Sequence, residues 1–352
     1  MMAAGRIKVL VVEDSPVVQR LLAHVIDEDP RLQVVGMAAD ATEAIAQIRR
    51  LKPDIVTMDI RLPHMNGFEA TRWIMREHPL PIVVVASNVD DKSLDISMNA
   101  LRAGALSVVA KPPGLGQQDY QSMAEQLRTQ LVIMSQVKVV RQWHHRASRP
   151  VLNPVPPMPG VDMVALVAST GGPGALARIL GALPAGFAAP VTVVQHMGAP
   201  FMGGFAHWLG TVSALPVQMA GEGLPACPGR VYVAPGNTHL AVHSGFFHLQ
   251  AGEPVHGQRP SGDILFDSLA RGDARHSVGV LLSGMGEDGA RGLEALRRAG
   301  GHTIAEAQST AVIWGMPGAA VERGAAVEVL PVDAIAGRLS QLVSVAAAGR
   351  GP

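Results

Sequence analysis

Four side chains in the first third of the sequence have the types and spacing for phosphoryl chemistry. Glu13 and Asp14 end the apolar run at 7–12, Asp59 ends the run at 54–58, and Lys111 follows the run at 106–110 and precedes Pro112. In an open parallel sheet the strand C-termini converge on one edge, where ligands bind. Carboxylates gathered there make a hard-oxygen site for a divalent cation such as Mg²⁺, with Asp14 and Asp59 as direct ligands and Glu13 acting through water. A cation is needed because a phosphoryl donor and a carboxylate nucleophile repel each other. Asp59 is the expected phosphate acceptor, and Lys111 would neutralise the phosphoryl oxygens.

A second constellation lies in the other half of the chain. Ser169 opens Ser169-Thr170-Gly171-Gly172-Pro173-Gly174 just after the apolar run at 164–168. Glycines there permit a sharp turn, and a helix starting near Gly174 would aim free N–H groups at the serine. His196 ends the run at 191–195, and Asp288 lies in Ser283-Gly284-Met285-Gly286-Glu287-Asp288-Gly289, after the run at 278–282. A nucleophilic hydroxyl, a base and an orienting acid, each following a core strand, would share one sheet edge. His239 and His256 are rival bases by spacing alone. No metal is needed in this half.

The elements that position these groups alternate. Strand-like runs at 7–12, 33–37, 54–58, 81–86 and 106–110 are separated by helical patterns. Ser15-Pro16 reads as a helix start, with a capping hydroxyl and proline at the first helical position. Val17, Val18, Leu21, Leu22, Val25 and Ile26 then give an apolar stripe of helical period, as do Ile45, Ile48 and Leu51 in the next helix. Five strands and five helices in alternation predict a doubly wound, flavodoxin-like parallel sheet over residues 5–135. Residues 136–160, with Pro150, Pro154, Pro156, Pro157 and Pro159, read as a stiff linker that carries basic but no acidic side chains. A larger, Rossmann-like α/β domain over 161–348 follows, with strands at 163–168, 191–195, 230–234 and 278–282 and a hairpin around Ser244-Gly245. Its helices are expected near 174–183, 200–209, 263–271, 289–299 and 332–346.

Bulk properties narrow the partners. With 352 residues, 48% of them hydrophobic, the chain fills two ordinary domains. A formal net charge of zero offers no basic footprint for nucleic acid. A DNA-binding output domain is disfavoured on that ground and by the lack of a helix-turn-helix pattern. No apolar stretch approaches the ~20 residues of a membrane-spanning helix, and the N-terminus does not read as a signal peptide. Cys227 is the lone cysteine. A cytoplasmic protein is expected.

Glu13-Asp14-Ser15-Pro16, Met58-Asp59-Ile60-Arg61-Leu62-Pro63 with Asn66-Gly67, and Lys111-Pro112 resemble the motifs of response-regulator receiver domains. The resemblance implies phosphorylation of Asp59 by a histidine kinase, with the Arg61 carbonyl as a further Mg²⁺ ligand. Ala86 stands where receivers usually carry Thr or Ser, and Val108 where they carry an aromatic residue. Residues 161–348 resemble the catalytic domain of chemotaxis-type protein-glutamate methylesterases. That resemblance rests on the Ser169, His196 and Asp288 segments together with Ala234-Pro235-Gly236-Asn237-Thr238-His239-Leu240, Arg259-Pro260-Ser261 and Gly315-Met316-Pro317. It implies a triad of Ser169, His196 and Asp288, with backbone N–H groups near Thr170 and Met285 as oxyanion donors. The implied substrates are methyl-esterified glutamates, and glutamines, on chemoreceptor signalling helices. The layout implies that phosphorylation controls the hydrolase half through a shift between conformations. A scaffold with an inactive hydrolase half, and a hydrolase acting on another acyl ester, are the competing expectations.

Overall fold

The computed structural model describes residues 5–86, 104–114, 120–137 and 161–348. The chain divides into two compact units, Met1–His144 and His145–Pro352.

In the first unit the elements run β1 (Ile7–Val12), α1 (Pro16–Asp27), β2 (Leu32–Ala38), α2 (Ala41–Leu51), β3 (Ile55–Met58), α3 (Gly67–Glu77), β4 (Ile82–Ala86), β5 (Ser107–Ala110) and α4 (Tyr120–Met134). The helix expected between β4 and β5 falls outside the described residues. The strands form one parallel sheet in the order β2-β1-β3-β4-β5. Strand order reverses between β1 and β3, and Asp14 and Asp59 follow those two strands. α1 buries Leu22, Val25 and Ile26, at helical spacing, against Val9, Val11 and Ile55. Ser15 does occupy the N-cap of α1, but its hydroxyl makes no capping bond, and its backbone N–H instead donates to Glu13 Oε1 at 3.3 Å. Side-chain caps occur on the next helices: Asp40 accepts from Glu43 N at 2.8 Å, and Asn66 from Glu69 N at 3.0 Å.

The second unit contains β6 (Met163–Ala168), α5 (Gly172–Ala182), β7 (Val191–Gln195), α6 (Ala199–Val212), β8 (Val217–Met219), β9 (Val231–Val233), the hairpin β10 (His239–His243) and β11 (Phe246–Gln250), and α7 (Gly262–Arg271). Then come β12 (Ser277–Leu281), α8 (Ala290–Arg298), β13 (His302–Glu306), α9 (Met316–Glu322), β14 (Glu328–Leu330) and α10 (Val332–Ala348). Seven parallel strands form one sheet in the order β14-β13-β12-β6-β7-β9-β8. The sequence reading missed β8, β13, β14 and α9. β13 begins and ends with ionisable residues, so it does not read as an apolar run, yet all five of its residues are buried. β6 lies between β7 and β12, and chain order reverses at the β6/β12 boundary, where ligands bind in open α/β sheets.

Candidate functional site

In the first unit, Glu13, Asp14 and Asp59 bring carboxylate oxygens within 4.8 Å of one another. Lys111 Nζ lies 2.6 Å from Glu13 Oε2 and 2.9 Å from Asp59 Oδ2. Glu13 and Asp59 are buried, whereas Asp14 is exposed and opens the cluster to solvent. Burial raises the Glu13 pKa, and the Asp59 charge adds to the rise against the opposing effect of Lys111. Burial disfavours the Lys111 charge, but Asp59 and Glu13 outweigh it and hold the ammonium above its usual pKa. One lysine against three crowded carboxylates leaves an excess of negative charge. An all-oxygen set of this kind suits a hard divalent cation. Arg61 is exposed on the segment leading from Asp59 to α3. Ala86 ends β4 fully buried and accepts the Lys111 N–H through its carbonyl at 2.8 Å, so a methyl group occupies the strand end beside the cluster.

The second unit gathers the other candidates on the segments that follow three adjacent strands. Ala168 of β6 pairs in register with Gln195 of β7, so Ser169 and His196 leave neighbouring strands side by side. His196 N donates to Ala168 O at 3.0 Å, and the Gln195 amide donates to both the Ser169 carbonyl (2.8 Å) and the His196 carbonyl (3.1 Å). On the other flank, Ser169 N donates to Ser283 O at 2.9 Å, just past β12. The helix after the serine starts at Gly172, two residues earlier than expected, with Gly171 at its N-cap in the left-handed region (φ 78°) that glycine adopts readily. Gly284 lets the opposite loop close on the serine, for a β-carbon there would lie 2.8 Å from Ser169 Cβ.

Asp288 is the best-connected of the three. Its Oδ2 lies 2.8 Å from His196 Nε2, an ion-pair separation, although the N–H direction falls short of an aligned hydrogen bond. The same oxygen accepts from Gly262 N at 2.6 Å, while Oδ1 accepts from Ser261 Oγ at 2.6 Å and Asp263 N at 3.3 Å. Burial raises the Asp288 pKa, but His196, Ser261 and Gly262 outweigh it and hold the carboxyl below its usual value. Among the described residues no hydrogen bond joins Ser169 Oγ to His196. Contacts of this kind are often loose before substrate binds.

The rival histidines are engaged elsewhere. His239 is buried, with Nε2 2.9 Å from Glu253 O and Nδ1 accepting from Ser261 N at 3.2 Å. His256 lies 3.3 Å from Asp263 Oδ2 and 3.7 Å from Glu287 Oε1. Of these three histidines, only His196 faces Asp288 among the described contacts. The Thr170 and Met285 N–H groups donate to no protein acceptor among the described residues. Sequence reasoning gave Gln195, Ser261 and Ser283 no role beyond membership of a motif and did not single out Glu306. Their signal is contact across the sheet edge, which spacing along the chain does not carry.

Among the described residues no helix is long and apolar enough to cross a membrane. The family model for the response regulator receiver domain matches residues 9–134, and that for CheB methylesterase matches residues 164–339. The chain is 46% identical over 343 residues to protein-glutamate methylesterase/protein-glutamine glutaminase 2 of Paramagnetospirillum magneticum, covering 96% of this chain and 97% of that protein. It is 45% identical over 342 residues to protein-glutamate methylesterase/protein-glutamine glutaminase 4 of Myxococcus xanthus, covering 95% and 96%. The crystal structure of the Thermotoga maritima CheB methylesterase catalytic domain aligns with a TM-score of 0.51 at 38% identity, over 52% of this chain and all of that one. A receiver sheet with its acidic cluster, a parallel hydrolase sheet and similarity along nearly the whole length lead to one assignment: the chain belongs to the CheB-type protein-glutamate methylesterase/protein-glutamine glutaminase family, with a response-regulator receiver domain preceding the methylesterase domain.

Proposed function

We propose that the second domain hydrolyses γ-glutamyl methyl esters on chemoreceptor signalling helices by a Ser169–His196–Asp288 mechanism. The observation that carries this reading is the placement of Ser169, His196 and Asp288 on the segments that follow the adjacent strands β6, β7 and β12, with His196 2.8 Å from Asp288. His196 takes the Ser169 proton as the hydroxyl attacks the ester carbonyl. Asp288, ionised, holds the imidazole and stabilises the imidazolium. The Thr170 and Met285 N–H groups face the developing oxyanion. His196 returns the proton to the departing methoxide, methanol leaves, and His196 then draws a proton from the water that cleaves the acyl-enzyme. Receptor glutamine follows the same steps with ammonia leaving.

The first domain is the control element, with Asp59 accepting a phosphoryl group from a histidine kinase. A Mg²⁺ ion held by Asp14, Asp59, the Arg61 carbonyl and, through water, Glu13 would screen the charge between donor and carboxylates. Lys111, ion-paired with Asp59, is placed to meet the phosphoryl oxygens once Asp59 is modified. The linker read at 136–160 lies, from 138 onward, outside the described residues, and the protein works in the cytoplasm, where the receptor helices and kinase are found. The test is methanol release from methylated receptor fragments, with and without a phosphodonor. Ser169→Ala is expected to abolish release, and retained turnover would remove Ser169 from the mechanism.

A further inference from the structure

Ser283 ties the turn that presents Ser169 to the rest of the sheet edge. Its carbonyl accepts from Ser169 N at 2.9 Å. Its hydroxyl donates to Thr170 O at 2.7 Å and accepts from Ile313 N at 2.9 Å. Its own N–H donates to Glu306 Oε2 at 2.8 Å, and the other Glu306 oxygen accepts from Thr310 Oγ1 at 3.0 Å. Ser283 and Glu306 are each 1% exposed, so the bond between them is shielded from solvent.

A carboxyl at the end of a buried strand is costly unless its oxygens are used. Burial pushes the Glu306 pKa up, and the bonds from Ser283 and Thr310 offset that only in part. The charged side chains nearby, Arg178 and Asp333, are paired with each other. Glu306 is therefore not held in place by an ion pair of its own. What it supplies is an acceptor for a buried N–H that would otherwise have none.

We propose that Glu306 is a positioning residue for hydrolysis: by accepting the Ser283 N–H it fixes the backbone at 283–285, and through Ser283 it sets both the Ser169 turn and the Met285 N–H. The inference rests on Ser169 being the nucleophile. A nucleophile displaced by a fraction of an ångström loses rate without losing substrate affinity, and about 1 Å is enough for a roughly hundredfold loss.

The test uses full-length Glu306→Gln, Glu306→Leu, Ser283→Ala and Ser169→Ala. Melting temperature, kcat and KM for methanol release from methylated receptor fragments are measured, with the rate of labelling by a fluorophosphonate. Gln keeps an acceptor for Ser283 and is expected to stay within about threefold of the wild-type kcat. Leu and Ser283→Ala are expected to lower kcat by about 10- to 100-fold with KM within about twofold, and to slow labelling in parallel. If the Leu variant fails to fold, Glu306→Ala takes its place, because Ser283→Ala keeps the N–H that Glu306 accepts and removes only the hydroxyl link to Thr170 O and Ile313 N. Wild-type kcat and labelling in the folded Leu or Ala variant at position 306 would overturn the inference, as would wild-type behaviour in folded Ser283→Ala, a Gln variant as slow as Leu, or losses that track melting temperature alone. Labelling that persists in Ser169→Ala would instead sink the nucleophile assignment itself, so the two failures are distinguishable.

Discussion

Ser261 donates its hydroxyl to Asp288 Oδ1 at 2.6 Å, and both side chains are buried. Ser261 sits at the N-cap of α7 but makes no capping bond within its own helix. The cap is supplied from another segment: Asp288 accepts the Gly262 and Asp263 N–H groups. The helix dipole and these donors stabilise the ionised carboxylate that faces His196.

Ser261→Ala removes the hydroxyl donor and leaves the helix N–H groups in place. A hydrogen bond to a charged group contributes about 1.5–3 kcal/mol, so kcat is expected to fall by about tenfold or more while the fold survives. The pH dependence follows from the Asp288 pKa, which lies below the ordinary 3.8. A depressed pKa contributes stability that is present above the unfolded value and lost as pH falls through the folded one. Acid unfolding followed by circular dichroism is expected to begin at higher pH in Ser261→Ala than in wild type. Superimposable acid titrations would show that Ser261 does not hold the carboxylate.

The acidic cluster predicts a cation effect of the opposite sign with pH. The Glu13 pKa is raised above 4.5, so the native state holds its proton more tightly than the unfolded chain does. That stability is present at low pH and is lost as pH rises from the unfolded value through the folded one. A bound divalent cation offsets the loss, by about 2.7 kcal/mol at a concentration one hundred times its dissociation constant. Adding MgCl₂ at neutral pH is expected to raise the melting temperature, and adding it near pH 4 to do little. Asp14→Asn should weaken the neutral-pH effect at least tenfold in concentration. An equal rise at both pH values, or in the Asn variant, would count against a cation at these carboxylates.

Both candidate edges were legible in the sequence because each proposed site residue directly follows an apolar strand run, or a short loop after one. Asp59 is read from its position once the runs are recognised, whereas Ser169 and His196 were candidates by position and the family resemblance set His196 above His239 and His256. Asp288 is seven residues past Leu281, and its role depends on α7, which is remote in sequence. The roles of Ser283 and Glu306 were invisible because their partners, Thr170 and Ser283, follow other strands. β13 was missed for a related reason. Its terminal His302 and Glu306 look like solvent-facing polar residues, but Glu328 and Ser283 satisfy them in the interior.

Asp59→Asn separates signal from chemistry. The amide preserves shape but cannot be phosphorylated, and Lys111 keeps Glu13 as a partner at 2.6 Å. Methanol release in the presence of a phosphodonor is expected to equal release in its absence, with the unstimulated rate close to wild type. A phosphodonor response that survives would move the acceptor away from Asp59.

The two buried histidines near Asp288 give the sharpest discrimination at the hydrolase edge. His196 faces the Asp288 carboxylate, whereas His239 is fixed between Glu253 O at 2.9 Å and Ser261 N at 3.2 Å. Donation to the Glu253 carbonyl requires a proton on Nε2, and acceptance from Ser261 requires a bare Nδ1. Both ring nitrogens of His239 are thus engaged, with neither spare for proton transfer. Its effect on catalysis runs through the Ser261 backbone and then Asp288. His196→Gln is expected to lower kcat by at least about a thousandfold with little change in melting temperature, as loss of a general base does. His239→Gln removes a buried hydrogen-bonded ring, so it is expected to lower stability by about 1–3 kcal/mol and kcat far less. Thermal melts run beside methanol-release kinetics on the two variants check this directly. If His239→Gln proved the catalytically dead variant at full stability, the base would have to be reassigned, and the Asp288–His196 contact would be structural.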